Sequence, residues 1–150
     1  MTIVANTALL APAAALVLWT LVMLGWMAGT RLPAIARTGA MGKAPPGMRG
    51  QDLETILPRQ INWKAHNYAH LMEQPTLFYA TVVILALAGG TRFDVAMAWA
   101  YVAIRVAHSL WQATVNVVPV RFALFALSSL CLIMLAVRAA ILCFIPLAAG

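Results

Sequence analysis

Residues able to bind or ionise stand inside stretches that are otherwise apolar. His66, His70 and Glu73 share one such stretch, Arg105, His108 and Gln112 the next, and Arg121 opens the last. At about 100° per residue on a helix, Arg59, Asn62, His66, His70 and Glu73 fall within about 80° of one another, on a single face. Tyr101, Arg105, His108, Ser109, Gln112 and Asn116 likewise share a face about 100° wide. A helix that only crosses lipid does not carry such a stripe, because a charge in hydrocarbon costs several kcal/mol unless it is paired or wetted. Arg59 to His66 can be solvated at an interface. Arg105 lies near the middle of its run, and Glu73 is the only acid within an apolar run, with Asp94 at the far boundary. These positions imply a Glu73 to Arg105 ion pair in a polar interior, within one chain or between chains.

Two imidazoles at i and i+4 with a carboxylate three residues on also have the spacing of metal ligands. The set lacks a fixed general base, and histidines at a membrane interface are commonly solvated, so no metal is assigned. The sequence has no Gly-rich phosphate loop, Ser-His-Asp set or Cys-x-x-Cys pair. Cys131 and Cys143 share one apolar run, where a continuous helix holds them about 18 Å apart, too far for a disulfide.

The elements that must position these residues follow from composition. Of 150 residues, 63% are apolar and 9% charged, against about 45–50% apolar in an ordinary globular domain. Mean hydropathy is +0.88. That excludes a water-soluble fold, and four apolar stretches at about 7–29, 58–89, 94–116 and 119–140, with a loop at about 30–57, account for the chain as one domain, 1–150. The expected fold is an all-α membrane protein, a bundle of four transmembrane helices. Thr30-Arg31-Leu32-Pro33 is expected to end the first. Met1 to Trp19 holds no Lys or Arg, so the first segment is expected to stay as a span and not to be cleaved as a leader. Residues 89–93 and 117–120 are connections short enough to make spans two, three and four antiparallel neighbours.

The net charge of +6 does not imply nucleic acid, since most basic residues flank the spans; the partners are membrane lipids. Arg31, Arg37, Lys43, Arg49, Arg59 and Lys64 crowd the first loop, Arg121 falls on the same side, and Arg92 faces the other. The positive-inside rule places the loop in the cytoplasm and both termini outside. Arg138, near the far end of the last span, is expected to snorkel to the interface. A variant whose single cysteine lies near Lys43 should be labelled from the cytoplasmic side; labelling only from outside would overturn this orientation.

The run His66-Asn67-Tyr68-Ala69-His70-Leu71-Met72-Glu73-Gln74-Pro75-Thr76-Leu77-Phe78-Tyr79 resembles the helix-two signature of the membrane-associated proteins in eicosanoid and glutathione metabolism, the MAPEG family. Arg105-Val106-Ala107-His108 resembles the family's Arg-x-x-His, and Arg121 follows Arg105 at the spacing of the Arg that faces the glutathione thiol. The likeness covers about residues 58 to 140, with features of a bacterial branch. It implies a left-handed four-helix bundle in the bacterial inner membrane, a homotrimer with glutathione between protomers towards the cytoplasm. It further implies that His66, His70, Glu73, Arg105, His108 and Gln112 line the glutathione site and that Arg121 activates the thiol. The family's helix-two Arg falls here at His66, its Asn at His70, and its Tyr after the Arg-x-x-His at Gln112.

Two functions follow as expectations. One is a glutathione-dependent transferase or peroxidase acting on a hydrophobic electrophile from the bilayer, by attack of an ionised thiol. The other is a non-enzymatic trimer that holds a lipid or quinone, or an accessory subunit of a larger membrane complex.

Overall fold

The computed structural model describes residues 6–39, 42 and 44–145; Lys43 lies outside them. Four long helices dominate: α1 (Leu10–Thr38), α2 (Arg59–Ala88), α3 (Arg92–Thr114) and α4 (Val118–Phe144), with short 3-10 turns at Thr7–Leu9 and Gly50–Thr55. There is no strand among the described residues. α1, α2 and α4 are long and apolar enough to cross a membrane. The 23 residues of α3 extend about 34 Å, and its polar residues Asp94, Arg105, His108, Ser109 and Gln112 are all buried. α3 is therefore less apolar because it turns its polar side chains into the bundle. α2 and α3 are central: α1 packs on both, and so does α4.

Local chemistry sets the helix ends. α1 does not stop at Thr30 as the sequence suggested; it runs through Pro33 to Thr38 and closes at Gly39, whose φ of 63° is left-handed. Thr30 Oγ1 donates to the carbonyls of Trp26 and Met27, so the polar residue bonds back along the helix without breaking it. Pro58 precedes α2, and Pro119 lies in the first turn of α4, where a missing N–H costs nothing. At the α2–α3 turn the N-terminal segment lies across the chain: Asn6 donates through its backbone N–H to Ala86 and through its side chain to the Gly90 carbonyl, both at 2.9 Å. A Cβ on Gly90 would stand 2.6 Å from the Leu9 side chain, and Leu9 itself is fully buried. Glycine is needed there for close approach.

Arg138 is a second departure from expectation. Its Nε donates to Asp94 Oδ1, and its Nη2 donates to Asp94 Oδ2 at 2.9 Å. Asp94 is fully buried and also accepts from the backbone N–H and hydroxyl of Thr91 at 2.7 and 2.9 Å. Arg138 is thus no free snorkelling cation. It joins α4 to the first turn of α3 as a bidentate pair.

Candidate functional site

The polar stripe of α2 is displaced from the helix's inner face. Six of its buried residues, Asn67, Leu71, Pro75, Phe78, Val82 and Leu85, centre about 170° round the helix from Asn62. His66 and Glu73 lie outside that arc and are exposed, while His70, at its border, is half-buried. The α3 stripe does turn inward, and Arg105 is among the largest fully buried side chains.

This difference in phase removes the expected intrachain ion pair. Arg105 has no acidic partner among the described residues, whose ion pairs are His66–Glu54 and Arg138–Asp94. Its guanidinium instead sits 5.8 Å from the Tyr101 ring centre and 5.7 Å from that of Phe125. Nη2 approaches His70 Nδ1 and the His70 carbonyl, each at 3.5 Å. Nε and Nη1 have no partner. Aromatic faces offset part of the cost of burying a cation, on the order of 2 kcal/mol when desolvated.

Around Arg105 the helices build a ring cluster and a polar ladder. The rings of His70 and His108 are 5.1 Å apart, and Phe125 stands edge-on to His70 at 5.3 Å. Tyr101 stacks on Phe78 at 4.3 Å. Asn67 Nδ2 donates to Ser109 Oγ, and Gln74 Nε2 donates to Ser129 Oγ, each at 2.7 Å. Asn67 and Gln74 are structural polar groups that the stripe on α2 does not single out. Their signal was their seven-residue spacing, which places both beside the apolar arc.

Two clefts open beside this cluster. One, of about 370 Å³, is lined by His66, Ala69, His70, Glu73, Gln112 and Arg121. The other, of about 190 Å³, is lined by His70, His108, Val118, Arg121, Phe122 and Phe125. His70 and Arg121 belong to both. The α3–α4 turn explains where Arg121 stands: Asn116 adopts a left-handed φ of 55°, which Asn tolerates better than most residues. Its Oδ1 accepts from Arg121 Nη1 at 2.7 Å. Trp111 Nε1 donates to the Val117 carbonyl across the same turn.

Of the seven candidate residues, the clefts gather His66, His70, Glu73, His108, Gln112 and Arg121, while Arg105 lies behind His70. His66 Nε2 is also 2.8 Å from Glu54, which ties it to the loop ahead of α2. No group of three or more His, Cys, Asp or Glu among the described residues could hold a metal ion, so the His66, His70 and Glu73 spacing does not become a ligand set.

The site is thus a basic, partly aromatic pair of clefts shared by three helices of a bundle that has membrane-spanning helices. The chain belongs to the MAPEG family, whose pattern it matches over residues 9–141. No curated protein and no solved structure gives a match.

Proposed function

We propose that the protein is a membrane-bound, glutathione-dependent transferase or peroxidase for hydrophobic electrophiles. It works as a homotrimer in the bacterial inner membrane, with the first loop in the cytoplasm. The observation that carries this reading is Arg121, fixed by Asn116 in the wall common to both clefts. A guanidinium held by a neutral amide keeps its full charge for an anion beside it, where a loose anchor would spend it in water.

The residues present suit glutathione, a tripeptide with two carboxylates and one ammonium. Arg121, Gln112 and His70 supply donors, Glu73 supplies the one acidic group in the cleft, and Arg105 brings a further positive charge close behind. His108 Nε2 and Gln112 Oε1 are buried without partners, and buried polar atoms left unbonded are costly. When bound, glutathione supplies the nucleophilic sulfur. The guanidinium of Arg121 favours the thiolate over the thiol, and Val118, Phe122 and Phe125 line the adjoining cleft with apolar surface that suits a hydrophobic co-substrate. Because His66 and Glu73 face out from the bundle, a neighbouring protomer would complete the enclosure.

A second reading has its own observation. A groove of about 260 Å³ between α2 and α4 is lined by Thr81, Ile84, Ala136, Ala139, Ala140, Cys143 and Phe144, which suits a lipid or quinone tail. Calorimetry with glutathione on detergent-purified protein separates the two. Saturable binding supports the enzymatic reading; no binding transfers support to an accessory protein that holds an apolar molecule.

A further inference from the structure

Arg105 constrains the chemistry of His70. A guanidinium carries five N–H donors and no acceptor, so a contact between Arg105 Nη2 and His70 Nδ1 is attractive only if Nδ1 offers its lone pair. The same Nη2 is 3.5 Å from the His70 carbonyl, which brackets the guanidinium between two acceptors of one residue. A proton on Nδ1 would set N–H against N–H beside a buried cation that forms no ion pair among the described residues. The neutral ring must then carry its proton on Nε2, at its other nitrogen.

The surroundings hold that arrangement. Phe125 meets the His70 ring edge-on and His108 packs against it, which limits ring rotation. The charged and titratable groups that face the site are His66 and Glu73 from α2, Tyr101, Arg105 and His108 from α3, and Arg121 from α4. Glu73 is exposed and forms no ion pair with the ring.

We propose that Arg105 locks His70 as the neutral tautomer protonated at Nε2, so that His70 presents an N–H donor to the anionic ligand of the cleft beside Arg121. His70 is then a donor and not the base that removes the thiol proton, and Arg105 is a positioning residue acting through it. The part concerning the ligand rests on the proposed glutathione function; the tautomer does not.

The two parts are tested separately. Nitrogen NMR of histidine-labelled protein in detergent, with His70 assigned by its loss in His70→Asn, should show an unprotonated Nδ1 and a protonated Nε2 at about pH 7. A protonated Nδ1, or both nitrogens protonated, overturns the lock. Arg105→Met should let the Nδ1-protonated tautomer appear; an unchanged His70 signal in a folded Arg105→Met variant also overturns it. If that variant does not fold, the wild-type spectrum still decides. For the ligand, glutathione calorimetry should show at least about a tenfold loss of affinity in His70→Phe, the scale of one hydrogen bond to a charged group. His70→Asn keeps a side-chain N–H and should stay within about threefold. Wild-type affinity retained in His70→Phe overturns the donor role and leaves the glutathione function standing. Absence of glutathione binding by the wild type overturns that function and the donor role together, whatever the nitrogen signals show.

Discussion

Arg138→Leu should lower the stability of the detergent-purified protein by about 1–3 kcal/mol, between the worth of an exposed ion pair and the cost of breaking a fully buried one, because the Arg138 side chain is 33% exposed while that of Asp94 is not exposed at all. Asp94 is fully buried, so without Arg138 its carboxylate keeps only Thr91 as a partner. An Arg that merely snorkelled would be worth far less, because its charge would sit in water in either case. Asp94→Asn should cost less than Arg138→Leu, since an amide is easier to bury than a charge. The double variant should lose clearly less than the sum of the two, because each single change removes the same contact. Denaturant midpoints for the three variants check this; strict additivity would show that the pair contributes nothing as a pair. The bond crosses 44 positions of sequence and joins the two helices at one end of the bundle, so its loss should also loosen the packing of α4 on α3.

Arg121→Leu should depress turnover of a hydrophobic electrophile with glutathione by more than tenfold, a barrier increase of about 1.4 kcal/mol or more. The change removes the positive charge from both clefts at once, since Arg121 is in the wall of each. Arg121→Lys should keep part of the rate, because a single sulfur needs a nearby positive charge more than it needs a fork of two N–H groups. Lysine cannot reproduce the planar bond to Asn116 Oδ1, so it should fall short of the wild type. The comparison is made at saturating glutathione, which separates a loss of thiol activation from a loss of binding. Equal rates for the wild type and the Leu variant would reduce Arg121 to a membrane anchor.

The bundle was legible in the sequence because long apolar runs report helices directly, and short turns leave few ways to connect them. The candidate site was legible in part. The inward polar face of α3 follows from its period, and Arg105, His108 and Gln112 are buried as that face requires. On α2 a period gives the members of a stripe but not its direction. The stripe from His66 to Glu73 lies beside the inner face, whereas Asn67 and Gln74 look inward, so the expected Glu73 to Arg105 bond does not form within the chain. Arg105 turns instead to the rings of Tyr101 and Phe125 and to His70.

The Asp94–Arg138 pair is hidden in the sequence for a different reason. Hydropathy judges a charge near the end of a span by its distance from water, and by that measure Arg138 can reach the interface unaided. Its partner stands at the start of another helix, and only the alignment of α3 with α4 brings the two together. Counting charges at each end of the bundle, with Asp94 and Arg138 at the same end, would have offered the pair as a candidate. The continuation of α1 through Pro33 was similarly hidden, because a proline near a charge reads as a stop signal while the preceding turns tolerate it.

The central claim, that the protein holds glutathione as a thiolate beside Arg121, is tested most directly by ultraviolet difference absorbance of glutathione mixed with purified protein at about neutral pH. Free glutathione is then mostly a thiol, its ordinary thiol value being about 8.5, so an ionised sulfur gives a distinct band. Wild-type protein should give a saturable thiolate band, lost in Arg121→Leu and partly kept in Arg121→Lys. No band with the wild type, or a full band in the Leu variant, would contradict that claim.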